Sequence, residues 1–133
     1  MREEFTRFAP ASPPNLERLK ATLEAEPVVL FALIFGSFAR GEERPDSDLD
    51  VAVYFSSPPE GLEVLEWLNR LSNAAEREVD LVVLNRASPL LRHQVMCHRI
   101  RLLVQDEAAY IRFREKNILD YQEYLYISGQ RDY

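Results

Sequence analysis

Residues 36–50 read Gly-Ser-Phe-Ala-Arg-Gly-Glu-Glu-Arg-Pro-Asp-Ser-Asp-Leu-Asp and follow the most apolar run of the chain, Val28 to Phe35. A continuous apolar run of this length is typical of a strand that is buried on both faces. Gly36 and Ser37 come directly after it, so we expect a sharp turn that presents backbone N–H groups and a hydroxyl at the end of the strand.

Two acidic residues at the end of this stretch, Asp48 and Asp50, lie two positions apart at the start of another apolar segment. In a strand, side chains at positions i and i+2 point to the same face. The two carboxylates therefore repel each other unless a cation lies between them, and a divalent metal ion is the natural candidate. The alternation also predicts which residues of this strand face the core: Leu49, Val51, Val53 and Phe55.

The rest of the chain alternates helical and extended patterns. We predict helices at 15–25, 61–77, 88–98 and 106–127, a short helical turn at 37–40, and strands at 28–35, 49–55, 78–84 and 100–104, the last at a sheet edge. The leucines of the second helix, at 62, 65, 68 and 71, are expected to form its buried stripe. These elements predict an α/β (α+β) fold in which a small mixed sheet of about four strands has helices mainly on one face, leaving the acidic face open. A chain of 133 residues without a composition break is expected to form one domain, with an irregular lead-in at 1–14.

Composition narrows the classes of function. Sixteen Lys and Arg against 22 Asp and Glu give a net charge of −6, which argues against direct binding of a nucleic-acid backbone. The single Cys97 has no partner for an internal disulfide, and no Cys/His spacing resembles a zinc site. The N-terminal residues lack the apolar segment of a secretory signal, and no run approaches the ~20 apolar residues that cross a bilayer. We therefore expect a cytoplasmic protein with no membrane association.

A third acid completes the candidate metal site. Asp80 lies in the strand predicted at 78–84, among apolar residues. Asp48 and Asp50 would bridge two Mg²⁺ ions, and Asp80 would hold the ion that activates an incoming hydroxyl, as in two-metal phosphoryl or nucleotidyl transfer.

The turn at the end of the first strand suits a phosphate group. Backbone N–H groups of Gly36 and Ser37 at the start of a helical turn are donors for an anion, and Arg40 lies one turn later. These six residues are the candidate site.

Each of these residues also has an ordinary structural interpretation. Asp48 and Asp50 would also suit a polar turn, and Asp80 would suit an edge strand in which an acid prevents aggregation. Ser37 by itself would be an ordinary helix cap. Arg40 would pair with Glu42 or be solvated.

The spacing of these residues resembles a known signature. Gly36-Ser37, ten intervening residues and Asp48-Leu49-Asp50 match the Gly-Ser-x10-Asp-x-Asp pattern of the polymerase-beta-like nucleotidyltransferases. The fuller string, Gly-Ser-Phe-Ala-Arg-Gly followed by Asp-Ser-Asp-Leu-Asp, resembles the minimal nucleotidyltransferase (MNT) group in particular. The likeness extends over nearly the whole chain, with Asp80 at the position of a third Asp.

The resemblance implies a function more definite than the spacing does. Proteins of the MNT group serve as antitoxins to small helical HEPN toxins, and characterised members use ATP and Mg²⁺ to transfer AMP onto a tyrosine of the toxin. It implies that Asp48, Asp50 and Asp80 are metal ligands, that Asp80 also accepts the tyrosine proton, and that Gly36 and Ser37 bind the triphosphate.

Two alternatives to this function stay open from the sequence. The first is a non-catalytic antitoxin that neutralises its partner by binding, and the second is a small-molecule nucleotidyltransferase. The aromatic-rich C-terminal segment, 106–133, is a candidate surface for a protein partner. We expect an oligomer or a hetero-complex with the toxin, since this chain lacks the second helical domain of the larger antibiotic-modifying enzymes.

Overall fold

Helices and strands alternate along residues 13–129, the part of the chain that the computed structural model describes. In chain order the elements are α1 Leu16–Glu24, β1 Val29–Phe35, α2 Gly36–Ala39, β2 Leu49–Phe55, α3 Leu62–Ala75, β3 Val79–Val83, α4 Pro89–Cys97, β4 Ile100–Val104 and α5 Glu107–Ser128. A 3₁₀ turn, Leu84–Arg86, lies between β3 and α4. The order of helices and strands predicted from the sequence is confirmed, while most of the lead-in, 1–12, lies outside the described residues.

The four strands form one mixed sheet in the order β3-β2-β1-β4. Strand β1 is antiparallel to both β2 and β4, whereas β2 and β3 are parallel. The predicted mixed sheet of about four strands is confirmed, and β4 is an edge strand as expected. One end of the sheet is therefore formed by the end of β1 together with the beginnings of β2, β3 and β4.

Side-chain caps fix where three helices begin. Asn15, Ser88 and Asp106 each accept a hydrogen bond from a backbone N–H three residues later, at 3.1, 3.2 and 3.0 Å. Such caps satisfy N–H groups that have no partner within the helix. Pro89 follows Ser88 at the first helical position of α4, where its missing N–H costs nothing.

The core lies on both faces of the sheet. On one face the inward residues of β2 pack against α1 and α3, as the alternation predicted. On the other face Phe31, Leu33 and Ala52 pack against Val95 of α4 and against Tyr110 and Phe113 of α5. The expectation that helices lie mainly on one face is therefore wrong. The reason is that β1 is apolar on both faces, so that each face needs a helical cover.

The predicted buried stripe of helix α3 is confirmed for Leu68, which packs against the core, and for Leu71, which is buried, but it is wrong for Leu62 and Leu65. Trp67, Leu71, Ala74 and Ala75 are its buried apolar residues, whereas the side chains of Leu62 and Leu65 are 76% and 54% exposed. Residues two apart on a helix differ by about 200° around its axis, so burying Trp67 turns Leu65 toward solvent. Within residues 13–129, no helix has the length and apolar character that a membrane span requires.

An ion-pair cluster joins α4 to α5. The carboxylate of Asp120 accepts from Lys116 Nζ at 3.0 Å and from Arg92 at 3.1 Å. Hydrogen bonds from Lys116, and next from Arg92, lower the pKa of Asp120 below its ordinary value of 3.8, although partial burial opposes the shift.

We predict that Asp120→Asn lowers the free energy of unfolding at pH 7 by about 0.5–1 kcal/mol. A carboxyl whose pKa is lowered by folding stabilises the protein above its unfolded-state pKa and loses that effect as the pH falls through the folded-state value. The stabilities of wild type and variant should therefore converge as the pH falls below about 3.9. Urea unfolding from pH 7 to pH 3 checks this. Glu115→Gln, an exposed change on the same helix, is the control, and a difference that is independent of pH would contradict the prediction.

Candidate active site

The end of β1 turns directly into α2. Gly36 has a φ of +73°, a conformation that residues with a Cβ rarely adopt. No side chain caps the first turn of α2. After the helix, the Glu42 N–H donates a hydrogen bond to the Ser37 carbonyl at 2.8 Å. Ser37 is half-buried beside the acidic end of the sheet. The predicted turn after the first strand is thus present.

The parallel pairing of β2 and β3 places Asp50 directly beside Asp80 in the register. Burial, followed by the negative charge of Asp80, a hydrogen bond between the two carboxyl groups and the charge of Asp48, raises the pKa of Asp50 from 3.8 to about 6. Asp48 precedes β2 and is exposed, as is Asp80. The structure therefore brings the three predicted acids to one end of the sheet and brings two of them into contact.

Gly36 leaves the space that the Asp50 carboxylate occupies. A Cβ placed on Gly36 would lie 2.0 Å from Asp50 Oδ2 and 2.8 Å from Asp50 Cγ. No such distance is compatible with a real side chain, so only glycine allows the loop to approach the acid this closely. The turn after β1 and the acidic pair are consequently in direct contact.

Arg40, the predicted phosphate ligand, has a carboxylate partner. Its Nε donates to Glu42 Oε1 at 3.0 Å, and both side chains are largely exposed. The positive charge of Arg40 opposes the rise in the Asp50 pKa, which places the guanidinium within electrostatic range of the acids. The pairing with Glu42 is the one that the sequence offered as the ordinary interpretation.

The acids match the chemistry of a hard divalent cation. Oxygen ligands from a few carboxylates, completed by water and phosphate oxygens, are what Mg²⁺ prefers. Among residues 13–129, no three carboxylate, imidazole or thiol side chains are close enough together to hold a metal ion as they stand. Asp50 and Asp80 instead form a hydrogen bond with each other, so a bound cation would take the place of that contact.

Arg77 positions the loop before β2, a role that no sequence pattern predicts. Its side chain is 7% exposed and donates to Glu43 Oε2 at 3.0 Å and to the Ser47 carbonyl at 3.1 Å. These contacts hold the residues immediately before Asp48 against the end of α3. Because the partners are about 30 positions away in the chain, no local pattern identifies Arg77.

Comparison with known proteins assigns the chain to a family. Residues 17–108 match the family model described as polymerase beta, nucleotidyltransferase, which is more than half of the chain. The chain belongs to this nucleotidyltransferase family. The protein is therefore an enzyme of the transferase class.

The names of individual relatives describe a more specific activity than the family description does. Protein adenylyltransferase MntA of Shewanella oneidensis is 33% identical over 70 residues, which are 53% of this chain and 50% of that protein. A chain in the crystal structure of a toxin–antitoxin with AMP-PNP superimposes with a TM-score of 0.78 at 27% identity, covering 86% of this nucleotidyltransferase and 93% of that chain. A chain in the complex of tri-AMPylated Shewanella oneidensis HEPN toxin with MNT antitoxin superimposes with a TM-score of 0.68 at 23% identity. The match covers 86% of this protein and 92% of that chain, and it shows the shared fold.

Two glycines with the same backbone conformation allow the contact with Asp50 to be tested. Gly36 and Gly41 both have a φ of +73°, but a Cβ on Gly41 meets nothing within 4 Å. Gly41→Ala should cost about 1–2 kcal/mol through backbone strain alone. Gly36→Ala should cost at least about 1 kcal/mol more, because it also displaces the Asp50 carboxylate. Urea unfolding of both variants measures the difference, and equal losses would show that the Asp50 contact is not a constraint.

Proposed function

We propose that this nucleotidyltransferase is an antitoxin that transfers AMP from ATP to a tyrosine of a HEPN toxin in a reaction that requires Mg²⁺. The observation that carries the proposal is the in-register pair Asp50 and Asp80, packed against Gly36 at the end of β1. The likeness to the protein adenylyltransferase MntA and to a toxin–antitoxin structure with AMP-PNP supports the choice of donor and the antitoxin role.

The residues of the site have distinct roles in this proposal. Asp48, Asp50 and Asp80 would hold Mg²⁺, most simply as two ions that neutralise the phosphates and polarise the attacking oxygen. The backbone N–H groups of Gly36 and Ser37 bind the triphosphate.

Arg40 reaches the same phosphates only if it leaves Glu42. Because that ion pair is exposed, it is worth at most about 1 kcal/mol and is readily exchanged for a phosphate.

The transfer itself is a substitution at phosphorus. The tyrosine oxygen attacks the α-phosphorus of ATP, the bond from that phosphorus to the bridging oxygen breaks, and pyrophosphate leaves. Asp80 accepts the tyrosine proton, since it is the more exposed carboxylate of the Asp50–Asp80 pair and lies on the edge strand β3.

A partner surface on α5 accompanies the site. Ile118, Leu119, Tyr126 and Ile127 expose 58%, 65%, 61% and 76% of their surface. Large apolar residues are unusual on the exposed side of a helix and are common at protein interfaces. We therefore propose that the second half of α5 contacts the toxin. This surface would also serve a non-catalytic antitoxin, which is the alternative that the structure favours next.

Transfer is tested by incubating the protein with its HEPN partner, Mg²⁺ and ATP labelled in the α-phosphate. Asp48→Asn and Asp80→Asn should each lower label incorporation by on the order of 10²-fold or more, because each removes a carboxylate from the metal site. Asp46→Asn is the matched control, since it lies in the same loop and is exposed. If the toxin is neutralised equally well by the Asp48→Asn protein, the antitoxin acts by binding and the enzymatic proposal is wrong.

The partner surface is tested separately from catalysis. Leu119→Lys combined with Ile127→Lys should weaken the complex at least about tenfold, because each places a charge in a desolvated contact. Glu115→Lys, on the same helix, controls for added positive charge. Isothermal titration with the toxin measures the affinity, and an unchanged dissociation constant would exclude this part of α5 from the interface.

A further inference from the structure

A cleft of about 600 Å³ lies beside the phosphate-binding turn. It is lined by Ala39, Cys97, His98, Arg99, Arg101 and Tyr110. Ala39 ends α2, and Ile100 of β4 pairs with Ile34 of β1, so the cleft is at the same end of the sheet as Gly36. Neither the sequence motif nor the family match assigns a role to it.

Arg99 is held in place by neutral groups. Its Nε donates to the Tyr110 hydroxyl and its Nη1 to the Met96 carbonyl, both at 2.7 Å. Tyr110 is 1% exposed, so the acceptor is fixed in the core. Within residues 13–129, no carboxylate forms an ion pair with Arg99. The guanidinium is therefore positioned and has hydrogen-bonding capacity left for an anion.

Arg101 adds a second cation to the same wall. Its guanidinium lies 4.8 Å from the centre of the Tyr110 ring, and it pairs with Glu107 through an exposed contact. Arg101 is paired in the sheet with Leu33, whose side chain belongs to the core on the Asp50 face. Arg101 and the acidic pair thus lie on one face of the sheet, separated by β1.

The charge of this cleft contrasts with that of the whole chain. The protein has a net charge of −6, yet two arginines and a histidine line the cleft and no carboxylate does. A triphosphate bound at Gly36 needs positive charge beyond its metal ions, and Arg40 at that turn is already paired with Glu42. Arg99 can bind a phosphate more readily than Arg40, because no carboxylate has to be displaced from its guanidinium first.

We propose that Arg99 and Arg101 form a second anion subsite, which binds the β- and γ-phosphates of the nucleotide and, after transfer, the pyrophosphate. Tyr110 is a positioning residue that fixes both guanidinium groups. The inference rests on the proposed nucleotidyl transfer at Asp48, Asp50 and Asp80, and it specifies how the leaving group is held there.

Binding measurements test the subsite without relying on transfer. Titration of the full-length protein with AMP-PNP and Mg²⁺ should show about 10- to 100-fold weaker binding for Arg99→Gln and for Arg101→Gln, since each removes charge-assisted hydrogen bonds. Binding of AMP, which lacks the β- and γ-phosphates, should not change. Arg112→Gln is the control, because it removes an equal charge from a residue outside the cleft.

Two further measurements test the subsite. Tyr110→Phe should weaken AMP-PNP binding less than Arg99→Gln does, since it loosens the guanidinium without removing it. If the leaving group also occupies the subsite, pyrophosphate should inhibit the wild type more strongly than the Arg101→Gln variant. Arg101 is exposed, so this substitution should not affect folding. Unchanged AMP-PNP affinity in both arginine variants, or an equal loss for AMP, would overturn the proposal.

The outcome also separates this inference from the proposed function. If wild type labels the toxin and the arginine variants bind AMP-PNP normally, the subsite is wrong and the transfer stands. If AMP-PNP binding depends on Arg99 but no label reaches the toxin, the subsite stands and the acceptor is wrong.

Discussion

The parallel pairing of β2 with β3 is the constraint on which the rest of the site depends, because it fixes Asp50 beside Asp80. Two carboxylates in contact are unfavourable unless a proton or a cation lies between them. Burial and, next to it, the negative charge of Asp80 accordingly raise the pKa of Asp50. The same carboxylate occupies the space where a Cβ of residue 36 would lie, so the turn after β1 must be glycine. Three strands and one turn are thus mutually dependent at this end of the sheet.

Negative and positive side chains lie on opposite sides of β1 at that end of the sheet. The acids lie on β2 and β3, whereas Arg99 and Arg101 lie at the start of β4, on the other side of β1. A ligand that is itself divided into a cation-bound part and an anionic tail fits such an arrangement. A metal-bound nucleoside triphosphate has this form, which agrees with membership of the nucleotidyltransferase family. The exposed apolar residues Ile118, Leu119, Tyr126 and Ile127 lie in the second half of α5, beyond Tyr110, so that binding of a protein partner there and binding of nucleotide need not compete.

The sequence predicted the fold class and the acids because both depend on local patterns. Alternation in 49–55 identified β2 and its acidic face, and the fixed spacing to Gly36 and Ser37 identified the turn. It did not predict the second helical layer, because an apolar run such as β1 does not show which helices cover it. Arg77 and Arg99 were missed for another reason, since their partners are set by tertiary contacts. Of the four leucines predicted to be buried in α3, Leu62 and Leu65 are exposed because Trp67 decides which side of the helix is buried.

The central claim is that the three acids form a metal site that faces a nucleotide at Gly36. The most direct test is a crystal structure of the protein with AMP-PNP and Mn²⁺, in which anomalous scattering locates the metal. The account predicts an anomalous peak between Asp50 and Asp80, with Asp48 as a further ligand and with the phosphates against the Gly36 turn. Bound nucleotide without a metal peak at these acids, and with the Asp50–Asp80 hydrogen bond intact, would contradict it.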